Sequence, residues 1–298
     1  MKIVISLGGL SANHVGQQLI DELRAIYPGL SGSSQSYSTG PLPEHDPRLE
    51  LVRQRMELAG LHPARCNDRR DEKREYLVGM DRVYDAEDLK ACELLYLDLL
   101  HPKRGVSSVS RSPQGYAVMD VRGIPEDPTL SIHETPDAYV VSDGAKRLLE
   151  SAGLKHLAFK PTVVTARGSD VGPFISWEAA GHEPWWEITS ERWMPCLSTA
   201  TELWRMSDER PMTELERHLR DYGRGVLPVE RPFRTPELRY ARKDIGEWST
   251  FCDIARTYEP FGRRPDLDRR LLVVSQRFYQ FCRVQGIEAE WVPVRVDE

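Results

Sequence analysis

Residues 2–7 alternate apolar with polar positions and are rich in β-branched side chains, a pattern that predicts an opening strand. Gly8-Gly9 then predicts a turn, and apolar residues recur at helical spacing over 11–26 until Pro28-Gly29 stops them. Residues 31–47, rich in Ser, Gly and Pro, read as an exposed loop. A second helix is predicted over 48–59, with Gly60 in the position glycine favours after a helix. The charged stretch 67–75 leads to Tyr76-Leu77-Val78, and then to a helix predicted over 86–95 with Asp85 as its cap. Turn-rich residues 101–115 precede an alternating strand over 116–121.

One pattern occurs twice. Residues 138–163 read AYVVSDGAKRLLESAGLKHLAFKPTV, and residues 271–294 read LLVVSQRFYQFCRVQGIEAEWVPV. Val140-Val141-Ser142 matches Val273-Val274-Ser275, and eleven residues after each serine stands a glycine, Gly153 or Gly286. Leu154 or Ile287 follows, and each copy then reaches a proline, Pro161 or Pro293. Serine is a preferred helix N-cap and glycine a preferred stop, so each copy reads as strand, capped helix, strand. A fainter echo pairs Tyr84, Asp88 and Leu89 with Tyr240, Asp244 and Ile245. The expected fold is α+β with two related halves, 1–168 and 169–298, each packing a strand-helix-strand unit on a mostly antiparallel sheet.

At 298 residues the chain is long enough for two domains, and 40% hydrophobic with 29% charged residues is an ordinary globular balance. No apolar run approaches the ~20 residues that cross a bilayer, and the N-terminal segment is too short for a signal-peptide core. Five cysteines, 66, 92, 196, 252 and 282, spell neither a CxxC site nor a disulfide framework and read as reduced thiols of a cytoplasmic protein. A net charge of −6 argues against nucleic acid and suits a basic protein partner.

Chemical motifs are sparse. Gly8-Gly9 lacks the remaining glycines or the lysine of a phosphate loop, and His182-Glu183 is followed by Pro-Trp-Trp rather than by a second zinc-binding histidine. Asp85, Glu87, Asp88 and Glu93 read as an acidic capping turn with a solvated face. No catalytic, cofactor-binding or metal-binding residue is therefore expected. The tract 174–193 holds four of the seven tryptophans among glutamates, and aromatic anchors dominate protein interfaces. Trp177, Glu178, Glu183, Trp185, Trp186 and Glu187 are accordingly the candidate partner-binding residues.

The run Arg-Val-Tyr-Asp-Ala-Glu-Asp-Leu-Lys-Ala-Cys-Glu-Leu-Leu at 82–95, the two Val-Val-Ser units and Asp253-Ile254-Ala255 resemble immunity proteins of bacterial polymorphic toxin systems. They are most similar to the Imm11-like group and its double-CxxCG relatives, although both CxxC pairs are missing here. The resemblance implies a cytoplasmic protein that binds and sterically blocks a cognate toxin, without enzymatic activity. Two other readings stand beside it: an enzyme with a cleft between the halves that reverses a toxin's modification, and a non-inhibitory adaptor.

Overall fold

The computed structural model describes residues 1–9, 17–33, 36–65, 75–97, 108–112, 114–120, 130–134, 138–165, 174–205, 210–218, 226–229, 235–246, 248, 252–261 and 270–298. Helices and mostly antiparallel strands make it an α+β fold, and its contacts divide it into two units. One comprises residues 1–85 with 229–236, the other 86–228 with 237–298. The boundary expected at 168 falls inside the second unit.

In the first unit, strand β1 (Lys2–Gly9) runs through both glycines expected as a turn. Helix α1 (Gln17–Ile26) leads into strands β2 (Ser31–Ser33), β3 (Ser36–Ser38) and β4 (Leu42–Pro43), so the stretch expected as a loop is largely a ribbon paired along β1. Helix α2 (Pro47–Leu58) starts at Asp46, whose carboxylate accepts the Arg48 amide at 2.9 Å, with Pro47 in the first turn. Strand β5 (His62–Arg65) is parallel to β6 (Glu75–Val83), which pairs with β1 over seven residues. Leu19, Ile20 and Leu23 of α1 join Val52 and Met56 of α2 in a core shared with Leu7 and Tyr76 of the sheet.

The second unit opens with α3 (Ala86–Lys90) and β7 (Leu94–Leu97). The helix expected over 86–95 thus ends five residues early. Leu94, Leu95, Tyr96 and Leu97 are all buried in a central strand, and an apolar run bounded this way suits either structure on pattern alone. Strands β8 (Ser108–Arg111), β9 (Ala117–Asp120), β10 (His133–Glu134) and β11 (Tyr139–Ser142) precede α4 (Asp143–Ser151). Strands β12 (Ala158–Pro161), β13 (Val163–Thr165), β14 (Phe174–Ile175) and β15 (Trp185–Thr189) follow. Then come β16 (Glu202–Arg205), β17 (Arg210–Pro211), α5 (Glu214–His218) and β18 (Val226–Val229). The chain closes with β19 (Leu238–Ala241), α6 (Arg242–Ile245), β20 (Ile254–Arg256), β21 (Leu272–Ser275), α7 (Gln276–Gln285) and β22 (Trp291–Asp297).

The two copies of the sequence pattern have the same strand registers. β11 and β12 flank β15 antiparallel, as β21 and β22 flank β7. Val140 faces Glu187 where Val273 faces Tyr96, and the two prolines, Pro161 and Pro293, face Trp186 and Leu95 at the same level. Outside them, β10 joins β11 at His133↔Val140 as β20 joins β21 at Ala255↔Val273. Even the parallel partners agree, with Val163 opposite Val118 and Arg295 opposite Arg239. In chain order each copy is preceded by a central strand, β7 or β15, yet each of these strands lies in the other copy's sheet. The echo at Tyr84 and Tyr240 has no such equivalence: α3 leads into a central strand, whereas α6 follows an outer one.

Both helices are capped as their sequences specify. Ser142 Oγ accepts the Ala145 amide at 3.3 Å and Ser275 Oγ accepts the Phe278 amide at 3.2 Å. Gly153 and Gly286 adopt φ of 58° and 70°, a left-handed conformation costly for any residue with a Cβ. Gly286→Ala is expected to lower stability by about 1 kcal/mol, since space is open but the backbone is not favourable. A urea titration checks this, and an unchanged midpoint would contradict it.

The copies also touch reciprocally. Ser131, just before β10, bridges Glu288, two residues past the second glycine stop; Asp253, just before β20, meets Lys155, two residues past the first. Asp253 is the more elaborate joint. Its carboxylate accepts Ser275 Oγ at 2.7 Å, the Lys155 amide at 2.8 Å and Arg277 Nη1 at 3.0 Å, with only 3% of its side chain exposed.

Candidate functional site

Two clefts lie at corresponding places, each between a repeat helix and the chain returning from its glycine stop. The cleft beside α7 encloses about 430 Å³ and that beside α4 about 390 Å³. Registers and caps align Tyr279 with Lys146, Arg283 with Glu150, Ile287 with Leu154 and Trp291 with Phe159 on their walls.

The α4 cleft carries its own cation. Lys146 Nζ sits 4.4 Å from the centre of the Trp186 ring and 5.6 Å from that of Phe159, and pairs with Glu150 at 2.8 Å. Trp186 is held in turn by Asp143, which accepts its indole N–H at 2.9 Å. Arg147, and after it Trp186, hold the Asp143 carboxyl below the usual carboxylate range. Lys146→Met is expected to reduce stability by about 1 kcal/mol through loss of the ring contact, read as a lower melting temperature. A melting temperature unchanged or raised would show the ammonium contributes nothing there.

The α7 cleft has aromatic walls and no such lysine. Tyr279 and Trp291 meet edge to face at 5.5 Å, and Leu89, Ile132 and Ile287 complete an apolar interior. Glu288 and Glu290 stand on the returning chain and Arg283 on the helix. Burial pushes the Tyr279 hydroxyl above its ordinary pKa.

The candidate residues from the tryptophan-rich tract scatter. Trp177 and Trp185 are buried: the first donates to the Thr162 carbonyl at 3.0 Å, the second meets His133 edge to face at 5.2 Å. Glu187 is buried beneath Arg111, which grips both its oxygens at 2.9 and 2.8 Å. These three are structural, because a closed core offers a partner nothing to touch. Glu178 and Glu183 are exposed, and Trp186 is half-buried in the α4 cleft. Outside that set, Trp193 is 46% exposed, with Arg256 and Arg270 guanidinium carbons 4.1 and 5.2 Å from its ring centre. Its spacing in the sequence gives no hint of either arginine.

The acidic turn at 85–93 is a paired surface, with Glu87 bonded to Lys90 and Glu93 to Arg242 at 2.8 Å. Cys252 and Cys282 are buried, and burial raises their thiols to about 11 and about 12; Cys66 lies outside the described residues. Burial raises the Glu259 carboxyl to about 7 against the opposing hydrogen bond from the Leu197 amide at 2.7 Å, whereas Arg210 holds Glu216 well below the usual carboxylate range. The Glu259 Oε2 and the neighbouring Tyr240 hydroxyl are buried without hydrogen-bond partners among the described residues, and neither residue lines the α7 or the α4 cleft. Among the described residues no group of His, Cys, Asp and Glu is placed to hold a metal, and no helix is long and apolar enough to cross a membrane.

No protein-family model matches the chain, and neither curated proteins nor solved structures include a match.

Proposed function

We propose that this chain is an immunity protein, a cytoplasmic binder that occludes a cognate bacterial toxin with a basic surface. The observation that carries the reading is the α7 cleft, apolar and aromatic within and bordered by two glutamates. Such a site is built to seat a protruding side chain, and aromatic anchors of this kind dominate protein recognition. The net charge of −6 adds long-range attraction for a basic partner. Glu259 and Tyr240, whose pKa values burial raises, are sealed in the core, which favours binding over acid–base chemistry at the clefts. The residue patterns at 82–95, 138–163 and 271–294 support the same class by resemblance.

The test is co-expression. A toxic effector recovered with the protein from its native host is expressed in a susceptible bacterium with and without it. Restored growth supports the reading, and undiminished killing at confirmed co-expression would refute it.

A further inference from the structure

We propose that the α7 cleft receives the C-terminal residue of the partner protein, its apolar side chain in the interior and its terminal carboxylate on Arg283. This rests on the binding reading above and specifies the group that the cleft recognises. The interior, lined by Leu89, Ile132, Ile287 and the rings of Tyr279 and Trp291, favours an apolar side chain over a charged one. At about 430 Å³ it has room for one leucine- or phenylalanine-sized residue with the backbone that carries it.

The polar groups on the walls decide what must accompany that side chain. Glu288 and Glu290 are already engaged within the protein, so neither is left over for a ligand. The donors are in the opposite state. Among the described residues the Arg283 guanidinium has no carboxylate or carbonyl partner, and the Tyr279 hydroxyl and Trp291 indole N–H make no hydrogen bond. Arg283 is exposed one turn after Tyr279 on α7, and both line the cleft. Burial raises the Tyr279 hydroxyl while the charges of Arg283 and Lys90 draw it back, which puts both cations near that hydroxyl. Lys90 is bonded to Glu87, so Arg283 is the cation left to meet an anion. A ligand suited to these walls joins an apolar body to a hydrogen-bond acceptor, and a carboxylate is the acceptor that a guanidinium grips best. Asp and Glu side chains carry their carboxylate on one or two methylenes, whereas the last residue of a chain joins a whole apolar side chain to a free carboxylate. Capture of a C-terminal carboxylate is a recurring mode of protein recognition.

The experiment titrates isotope-labelled full-length protein with acetyl-Gly-Gly-Phe bearing a free carboxylate and follows amide and indole resonances. The Trp291 indole and Gly286 amide signals are expected to move saturably, and the C-terminal amide of the same peptide is expected to bind about tenfold more weakly. Arg283→Gln is expected to remove that preference, and because Arg283 is exposed the variant keeps the fold. Shifts that map elsewhere, equal binding of acid and amide, or a preference that persists in Arg283→Gln would overturn the proposal. Phenylpropionate binding as tightly as the peptide would also overturn it, by assigning the cleft to a small organic acid instead of a chain end. Toxin neutralisation undiminished by a Gly-Ser-Gly-Ser tail on the toxin's C-terminus would sink the chain-end proposal and leave the immunity reading standing. Carboxylate-dependent peptide binding at the cleft without any protection from the toxin would do the reverse.

Discussion

Asp253→Ala is expected to destabilise the protein by about 2–4 kcal/mol, because the buried carboxylate accepts several hydrogen bonds and its removal leaves those donors unsatisfied. Ser275 would lose the carboxylate that accepts its hydroxyl while the hydroxyl caps α7, and the Lys155 amide would lose its acceptor. Arg277 is half exposed, so its ion pair adds little to the total. Asp253→Asn retains one carbonyl oxygen and is expected to fall between wild type and the alanine variant. Chemical denaturation measures both. A midpoint for Asp253→Ala equal to wild type would mean that this contact between the copies carries no stability.

Glu259→Gln is expected to stabilise the protein at alkaline pH. Burial keeps the Glu259 proton on up to pH about 7 in the folded chain, whereas the ordinary carboxyl releases it near 4.5. Between those values the folded state binds more protons than the unfolded one, so stability falls as pH rises. The favourable contribution is complete below about 4.5 and lost above about 7, a difference of roughly 3 kcal/mol. Glutamine retains an oxygen for the Leu197 amide and carries no charge, so its stability should be flat across this window and exceed wild type at pH 8. Parallel pH slopes for the two proteins would show that Glu259 ionises freely in the fold.

The strand-helix-strand copies were legible because their signals are local. Ser142, Ser275, Gly153 and Gly286 act within one turn of where they stand in sequence, and the structure uses each as its type suggests. The pairing of β7 with β21 was not legible, since Leu95 meets Val274 across most of the chain and spacing does not encode such a contact. The same distance hid the separate first unit and misassigned 94–95 to a helix. At the tryptophan-rich tract, composition could not distinguish an anchor from a core residue. Trp185 and Trp186 are adjacent, yet the strand's alternation buries the first and leaves the second half open beside Lys146. Glu259 sits alone in its segment without any motif, and only the fold reveals its burial.

The most direct test of the account adds increasing amounts of purified protein to a fixed amount of the cognate toxin and measures the toxin's residual activity. Steric occlusion predicts a linear loss of activity that ends near one molecule of this protein per toxin molecule. Complete loss at strongly substoichiometric amounts would contradict it, since a blocker that binds and stays cannot silence more toxin than it covers.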